Sequence, residues 1–208
     1  MFSRLLFLVF LLAIQSMALA APGPGRQALD DFLDGLSTLQ AKFEQSVLDT
    51  ENATTGQMFG LFLLERPGHF RWDYVAPRKQ VILADGRDVW IIEEDLKQVT
   101  RHYQKWALKG TPAAFLAMDE SVETDFEIVE IGERRGLQWL ELIPRNPESD
   151  LNRVLLAFAD KELRHMELND KFGQISRFRF FEVQRNVPID PALFEYQGRD
   201  DWDVLQGD

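Results

Sequence analysis

The spacing of apolar and polar residues divides the chain into an N-terminal helix followed by a long series of strands. The predicted helix has apolar residues at intervals of three and four, which form one buried face: Leu29, Phe32, Leu33 and Leu36. After Ser37 the interval becomes two, as in a strand with one buried face, and the apolar positions are Leu39, Ala41, Phe43 and Val47.

Alternating segments continue through most of the remaining chain. They predict further strands at about 56–65, 68–76, 79–85, 88–94, 123–131, 137–143, 153–160, 163–169 and 174–184. Asp85-Gly86 separates two apolar runs and indicates a tight hairpin, because glycine supplies the positive φ that such a turn requires. Lys171-Phe172-Gly173 indicates a second hairpin tip. Successive hairpins predict an antiparallel, meandering sheet.

A short apolar helix is predicted after Thr111, whose hydroxyl can cap it while Pro112 takes the first helical position. Residues 113–118 have no polar face, so this helix must be covered on most sides. It therefore fits a lid pressed into the concave surface of a sheet. The predicted fold is α+β: a curved antiparallel sheet of about ten strands that forms an incomplete, half β-barrel closed by a lid of short helices.

The first twenty residues have the pattern of a secretory signal peptide. Arg4 precedes an apolar run from Leu5 to Ile14, and Ala18-Leu19-Ala20 fits the small-residue cleavage rule. The apolar run is too short for a spanning helix. We expect cleavage after Ala20 and export of the mature chain.

Cleavage leaves 188 of the 208 residues, which suit a single domain at 21–208. Residues 21–25, Ala-Pro-Gly-Pro-Gly, are expected to form a flexible leader, and the acidic residues 200–203 a charged tail. The chain has no cysteine, which excludes disulfides, thiolate metal sites and a lipid-modified cysteine at the cleavage site. Loss of Arg4 takes the formal charge from −11 to −12, which disfavours nucleic acid as a partner.

No catalytic or metal-binding pattern stands out. His69, His102 and His165 are far apart and lack the spacing of a local metal site. The chain has no GxSxG, no phosphate-binding loop and no dinucleotide fingerprint. We therefore predict no catalytic residues, no metal and no cofactor, although a secreted hydrolase remains an alternative.

Residues 61–74, Leu-Phe-Leu-Leu-Glu-Arg-Pro-Gly-His-Phe-Arg-Trp-Asp-Tyr, resemble the strand, Arg-Pro turn and strand of the periplasmic outer-membrane lipoprotein carrier (LolA) family. The order of the surrounding features agrees: a leader peptide, a helix leading into Phe43, a hairpin before Trp90, and Thr111-Pro112 opening an apolar helix. Residues 187–196 resemble the family's last helical turn and strand. The resemblance covers nearly the whole mature chain.

This resemblance implies a periplasmic chaperone that binds the acyl chains of lipoproteins released from the inner membrane. Its implied partners are the acylated lipoproteins, an inner-membrane lipoprotein-releasing ABC transporter and an outer-membrane lipoprotein receptor. We expect the chain to act as a monomer. A carrier of another lipid or glycolipid on the same fold is the nearer alternative, because a fold alone does not name its ligand.

The resemblance also implies roles for particular residues. Arg66 would bind backbone carbonyls of the lid helices and hold the empty cavity closed, and Phe70 would lie at the cavity mouth, where cargo and partner proteins meet. The alternatives are a surface arginine and an ordinary inward strand residue. The hydrophobic cavity is expected to be lined by Leu33, Leu36, Phe43, Trp72, Trp90, Phe115 and Leu116, for each of which plain core packing is the alternative.

Two positions depart from the family pattern. Glu65 replaces the usual lysine before the arginine, which reverses a surface charge next to Arg66. Residues 197–200, Gln-Gly-Arg-Asp, replace the usual Pro-Pro-Gly after the final strand. The comparison is therefore weakest at the C-terminal end.

Overall fold

The computed structural model describes residues 22–118 and 121–207, so the predicted signal peptide, residues 1–20, lies outside the described residues. The strands of this part of the chain are β1 Thr38–Leu48, β2 Thr54–Glu65, β3 His69–Ala76, β4 Gln80–Asp85, β5 Asp88–Glu93, β6 Gln98–Tyr103, β7 Phe126–Arg134, β8 Leu137–Pro144, β9 Leu151–Ala159, β10 Glu162–Asp170, β11 Ile175–Arg185 and β12 Asp203–Gln206. Its helices are α1 Pro24–Leu33, α2 Gln104–Ala107, α3 Pro112–Ala117 and α4 Val122–Asp125, with 3₁₀ turns at Glu94–Leu96 and Pro191–Phe194.

The strands form one sheet in the order β12-β6-β5-β4-β3-β2-β1-β11-β10-β9-β8-β7. Two antiparallel meanders, β1 to β6 and β7 to β11, are joined where β1 pairs with β11 and Phe43 lies opposite Phe180. The sheet does not close on itself, because β12 and β7 remain its two edges. The predicted α+β half-barrel is therefore confirmed.

Burial alternates along β1 as its sequence predicts. Leu39, Ala41 and Phe43 are buried, whereas Lys42 is exposed. This alternation places one face of each strand in the main hydrophobic core, which lies between the concave face of the sheet and the helices. The hairpin predicted at Asp85-Gly86 is present between β4 and β5, and Gly86 has a φ of +89°.

The N-terminal helix begins earlier than its sequence suggests. Residues 21–25 are predicted as a flexible leader, but α1 starts at Pro24 and Gly25 is buried. The Glu130 carboxylate on β7 accepts hydrogen bonds from the backbone N–H groups of Gly25 and Arg26 at 3.0 and 2.7 Å. These bonds satisfy donors that every helix N-terminus leaves unpaired, and they come from a residue distant in sequence.

The same helix ends before Leu36. The Asp34 N–H donates to the Asp30 carbonyl at 2.8 Å, and Gly35 then takes a left-handed φ of +61°. Leu36, predicted on the helix face, lies instead in the link to β1, where it is still buried in the core.

The C-terminal segment is predicted as a charged tail, but it contributes a strand. Four backbone positions of β12 pair in parallel with β6, with Val204 opposite Val99. An ion pair between Lys97 and Asp201, with an N–O distance of 3.1 Å, lies beside this pairing. Neither β6 nor β12 is predicted from sequence periodicity, because both are short.

Candidate functional site

A cavity of about 440 Å³ lies between the concave face of the sheet and the helices that cover it. Volumes of a few hundred Å³ are typical of ligand pockets. The walls are predominantly apolar, and the sheet and the covering helices both contribute. The sheet provides Phe62, Leu64, Phe70, Trp72, Ile82 and Phe178, and the covering segment provides Ala107, Leu108, Ala113, Leu116 and Ala117.

A cluster of aromatic rings forms one wall of the cavity around Trp72. The ring centroid of Trp72 lies 4.5 Å from that of Phe62, 5.1 Å from Phe43 and 5.2 Å from Phe178. The rings are tilted or edge-on to one another, which are the arrangements that aromatic pairs favour. This wall is therefore rigid and presents little polarity to a ligand.

The few polar side chains near the cavity are bonded to protein groups. The Tyr74 hydroxyl donates to the Gln45 amide oxygen at 2.8 Å, and burial raises the pKa of Tyr74 above its usual range. The Thr111 hydroxyl donates to the Leu108 carbonyl at 2.7 Å. Gln45 lies on the inward face of β1, a polar position that the apolar alternation does not identify. A surface of this kind suits hydrocarbon chains better than a polar substrate.

We define the lid as α2, α3 and the residues between them, Gln104–Ala117 together with Met118. Two contacts tie its C-terminal end to the turn between β2 and β3. The Arg66 guanidinium donates to the Met118 carbonyl, and the Gly68 N–H donates to the Ala117 carbonyl at 2.8 Å. Carbonyls at a helix end have no partner within the helix, so both bonds satisfy acceptors that α3 leaves open.

Gln104 adds a third connection that sequence reasoning missed. Its buried side chain donates from Nε2 to the Gly68 carbonyl at 2.7 Å, and its Oε1 accepts from the Gly86 N–H at 3.1 Å. One amide thus joins the lid to two hairpin turns of the sheet. The only signal in the sequence is a glutamine directly before an apolar segment, and that does not indicate a buried position.

The predicted site residues fall into three groups. Trp72 and Leu116 line the cavity, as does Phe70, which is 4% exposed and lies on the inner face of β3 beneath the lid. Four others belong to the surrounding core and do not line the cavity: Leu33, Leu36, Phe43 and Phe115. The roles of Arg66 and Phe70 stay predictions, although the structure brings both residues to the lid.

Trp90 forms the third group, because the structure places it on the opposite face of the sheet. Its ring stacks on Tyr196 at 4.5 Å, and its N–H donates to Asp85 Oδ2 at 2.8 Å. Its neighbours along β5, Val89 and Ile91, line the cavity instead. The assignment of Trp90 to the cavity is therefore wrong: β5 is apolar on both faces, so alternation alone does not show which face is inward.

Within residues 22–118 and 121–207, no group of three or more His, Asp or Glu side chains is placed to hold a metal ion. The helices of that same part of the chain are all too short or too polar to cross a membrane.

Comparison with known proteins agrees with this architecture. Residues 34–197 match the family described as "Outer membrane lipoprotein carrier protein LolA". An outer-membrane lipoprotein carrier protein of Nitrosomonas europaea is 36% identical over 205 residues, which cover 98% of this chain and 99% of that protein. The corresponding protein of Nitrosospira multiformis is 38% identical over 200 residues, which cover 96% of this chain and 95% of that protein.

Among solved structures, an uncharacterized conserved protein from Thermus thermophilus superposes with a TM-score of 0.57. The match covers 89% of this chain and 100% of that one at 14% sequence identity, so it supports the fold alone. The family match over most of the chain and the near full-length relatives carry the assignment: the chain belongs to the outer-membrane lipoprotein carrier (LolA) family.

Proposed function

We propose that this protein is a periplasmic carrier that shields the acyl chains of lipoproteins from water and delivers them to the outer membrane. The observation that carries the proposal is the apolar cavity beneath a lid that is tied down by a few hydrogen bonds. Family membership and the names of the relatives support lipoproteins as the cargo. An export signal at residues 1–20 fits a periplasmic location.

The energetics explain why such a cargo needs a carrier. Each buried CH₂ contributes about 0.8 kcal/mol, so an acyl chain of a dozen or more carbons is destabilised in water by on the order of 10 kcal/mol. A lipoprotein with several chains would not leave a membrane unaided. The cavity has the volume of an ordinary ligand site, so we expect the lid to open further when several chains enter.

Arg66 is the residue that we propose as the latch of the closed, empty state. Its bond to the Met118 carbonyl must break before the lid can lift, so the latch opposes cargo binding and favours release. Phe70 lines the cavity close to this latch, and we propose that it contacts the entering chains. The partners that load and unload the carrier would be an inner-membrane lipoprotein-releasing ABC transporter and an outer-membrane lipoprotein receptor.

A two-stage transfer assay tests both the carrier function and the latch. A triacylated lipoprotein is released from spheroplasts by the wild-type protein or by Arg66→Leu, and the soluble receptor is then added. A hydrogen bond from a charged donor contributes about 1.5–3 kcal/mol, so loss of the latch should retain cargo about tenfold more strongly. We expect normal loading and reduced transfer from Arg66→Leu.

Arg185→Leu is the matched control. The Arg185 guanidinium also binds carbonyls at a helix end, those of Phe32 and Asp34 at 2.7 and 3.1 Å, but that helix is α1 rather than the lid. Transfer from Arg185→Leu should equal that of the wild type. Equal transfer from Arg66→Leu would refute the latch, whereas failure of the wild-type protein to release any lipoprotein would refute the carrier function itself. A co-purifying glycolipid in place of acyl-protein would point to a different cargo.

A further inference from the structure

The indole N–H of Trp72 is buried and has no hydrogen-bond partner in the described part of the chain. Two other tryptophans provide a contrast. The Trp90 N–H donates to Asp85 at 2.8 Å, and the Trp139 N–H donates to the Arg134 carbonyl at 3.4 Å. Buried indole N–H groups ordinarily find an acceptor, because an unpaired buried donor is unfavourable by about 1–3 kcal/mol. The unpaired group of Trp72 therefore calls for a physical reason.

The surroundings of Trp72 do not provide an acceptor. The rings of Phe43, Phe62 and Phe178 pack around it, and none of them carries oxygen. The Tyr74 hydroxyl, on the same face of β3, is engaged with Gln45. Phenylalanine would give such a wall its apolar contacts without leaving a donor unpaired, so packing alone does not account for an indole here.

The location of Trp72 points to a ligand as the missing acceptor. Its ring lines the cavity, whose other walls are predominantly apolar. The hydrocarbon part of an acyl chain has no hydrogen-bond acceptor, whereas the carbonyl at its head does. A hydrogen bond formed in this water-poor site would be stronger than the same bond in water.

We propose that the Trp72 indole N–H donates a hydrogen bond to the carbonyl of an ester- or amide-linked acyl chain bound in the cavity. This inference rests on the proposed function and adds to it: the site recognises acyl groups rather than hydrocarbon in general. The carbonyl end of one chain is then held at the aromatic wall, and the chain fills the apolar cavity beyond it.

The test compares two synthetic ligands of equal chain length: a dipalmitoyl-glyceryl cysteine peptide, which carries two ester carbonyls, and its dihexadecyl ether analogue, which carries none. Each ligand displaces 1-anilinonaphthalene-8-sulfonate from wild-type protein, Trp72→Phe or Trp139→Phe. Because one neutral hydrogen bond is worth about fivefold in affinity, the wild type should bind the ester about fivefold more tightly than the ether.

Trp72→Phe should bind both ligands equally, with affinity for the ether at least as high as in the wild type. Trp139→Phe, which removes an indole N–H outside the cavity, should keep the preference for the ester. Ester preference that survives in Trp72→Phe, or its absence from the wild type, would overturn the inference and leave the carrier function standing. Failure of both ligands to bind the wild type would instead refute the proposed function.

A second substitution and a direct measurement guard against a folding defect. β-(3-Benzothienyl)alanine at position 72 keeps the two-ring shape and lacks only the N–H, so it should behave as Trp72→Phe does. In protein labelled with ¹⁵N-tryptophan, the Trp72 indole proton should shift downfield with the ester and not with the ether. An unshifted indole proton in the ester complex would also overturn the inference.

Discussion

The side chain of Gln104 should hold the lid on the sheet even when Arg66 is absent. Replacing it by alanine leaves the Gly68 carbonyl and the Gly86 N–H without their bonds at 2.7 and 3.1 Å. Each buried group that loses its partner is destabilising by about 1–3 kcal/mol. Water can reach part of the space that alanine vacates, so we expect Gln104→Ala to lower the free energy of unfolding by about 2–4 kcal/mol.

Two measurements separate the global from the local part of this effect. Urea unfolding followed by circular dichroism gives the change in the free energy of unfolding. Amide hydrogen exchange at Gly68, whose N–H binds the Ala117 carbonyl at 2.8 Å, reports whether the lid lifts without global unfolding. We expect exchange at Gly68 to become faster by a larger factor than exchange in the core strands.

Gln57→Ala is the matched control, since the exposed Gln57 side chain donates to Glu44 at 2.6 Å on the sheet surface. Its removal should change stability by less than about 0.5 kcal/mol. If Gln104→Ala is as mild as this control, or if Gly68 exchange is unchanged, then Gln104 does not hold the lid and the reasoning from its hydrogen bonds is wrong.

Three further outcomes are expected. Gly60→Ala should destabilise the fold by at least about 2 kcal/mol in urea unfolding, because a Cβ there would lie 1.9 Å from the Asp73 carbonyl oxygen; Gly56→Ala, whose Cβ meets nothing nearer than 3.8 Å, is the neutral control on the same strand. Burial, then Arg179 and Arg177, lower the pKa of His165, so the unfolded state takes up a proton below about pH 6.5 that the folded state resists. Stability should therefore fall on acidification from about pH 7.5 to about 5.5, and a His165→Gln variant with the same pH slope would contradict this. N-terminal sequencing of the exported protein should begin at Ala21, and any other start would disprove the predicted cleavage.

Much of the fold can be predicted from the sequence because its signals are local. The alternation along β1 and the glycine at the β4–β5 turn follow from the geometry of a strand and of a tight turn. The Arg-Pro turn places Arg66 and Phe70 in one short segment, and the structure brings both to the lid. These features depend on residues close together in the chain.

Other features depend on contacts between distant residues and could not be predicted in this way. The leader predicted to be flexible becomes the start of α1, because Glu130 binds its N–H groups and Gly25 lies so close to β8 that a Cβ would be 2.7 Å from the Trp139 carbonyl oxygen. Pro-Gly sequences are typical of loops, and only a partner about a hundred residues away makes this one helical.

The two tryptophans Trp72 and Trp90 show where sequence ends and tertiary structure begins. The sequence by itself determined that each lies on a strand with alternating faces, since that follows from backbone geometry. Only the tertiary structure decided that Trp72 faces the lid and Trp90 faces Tyr196 on the outside. The physical reason is that a strand with apolar residues on both faces can bury either one, and the choice is made by the elements that pack against it.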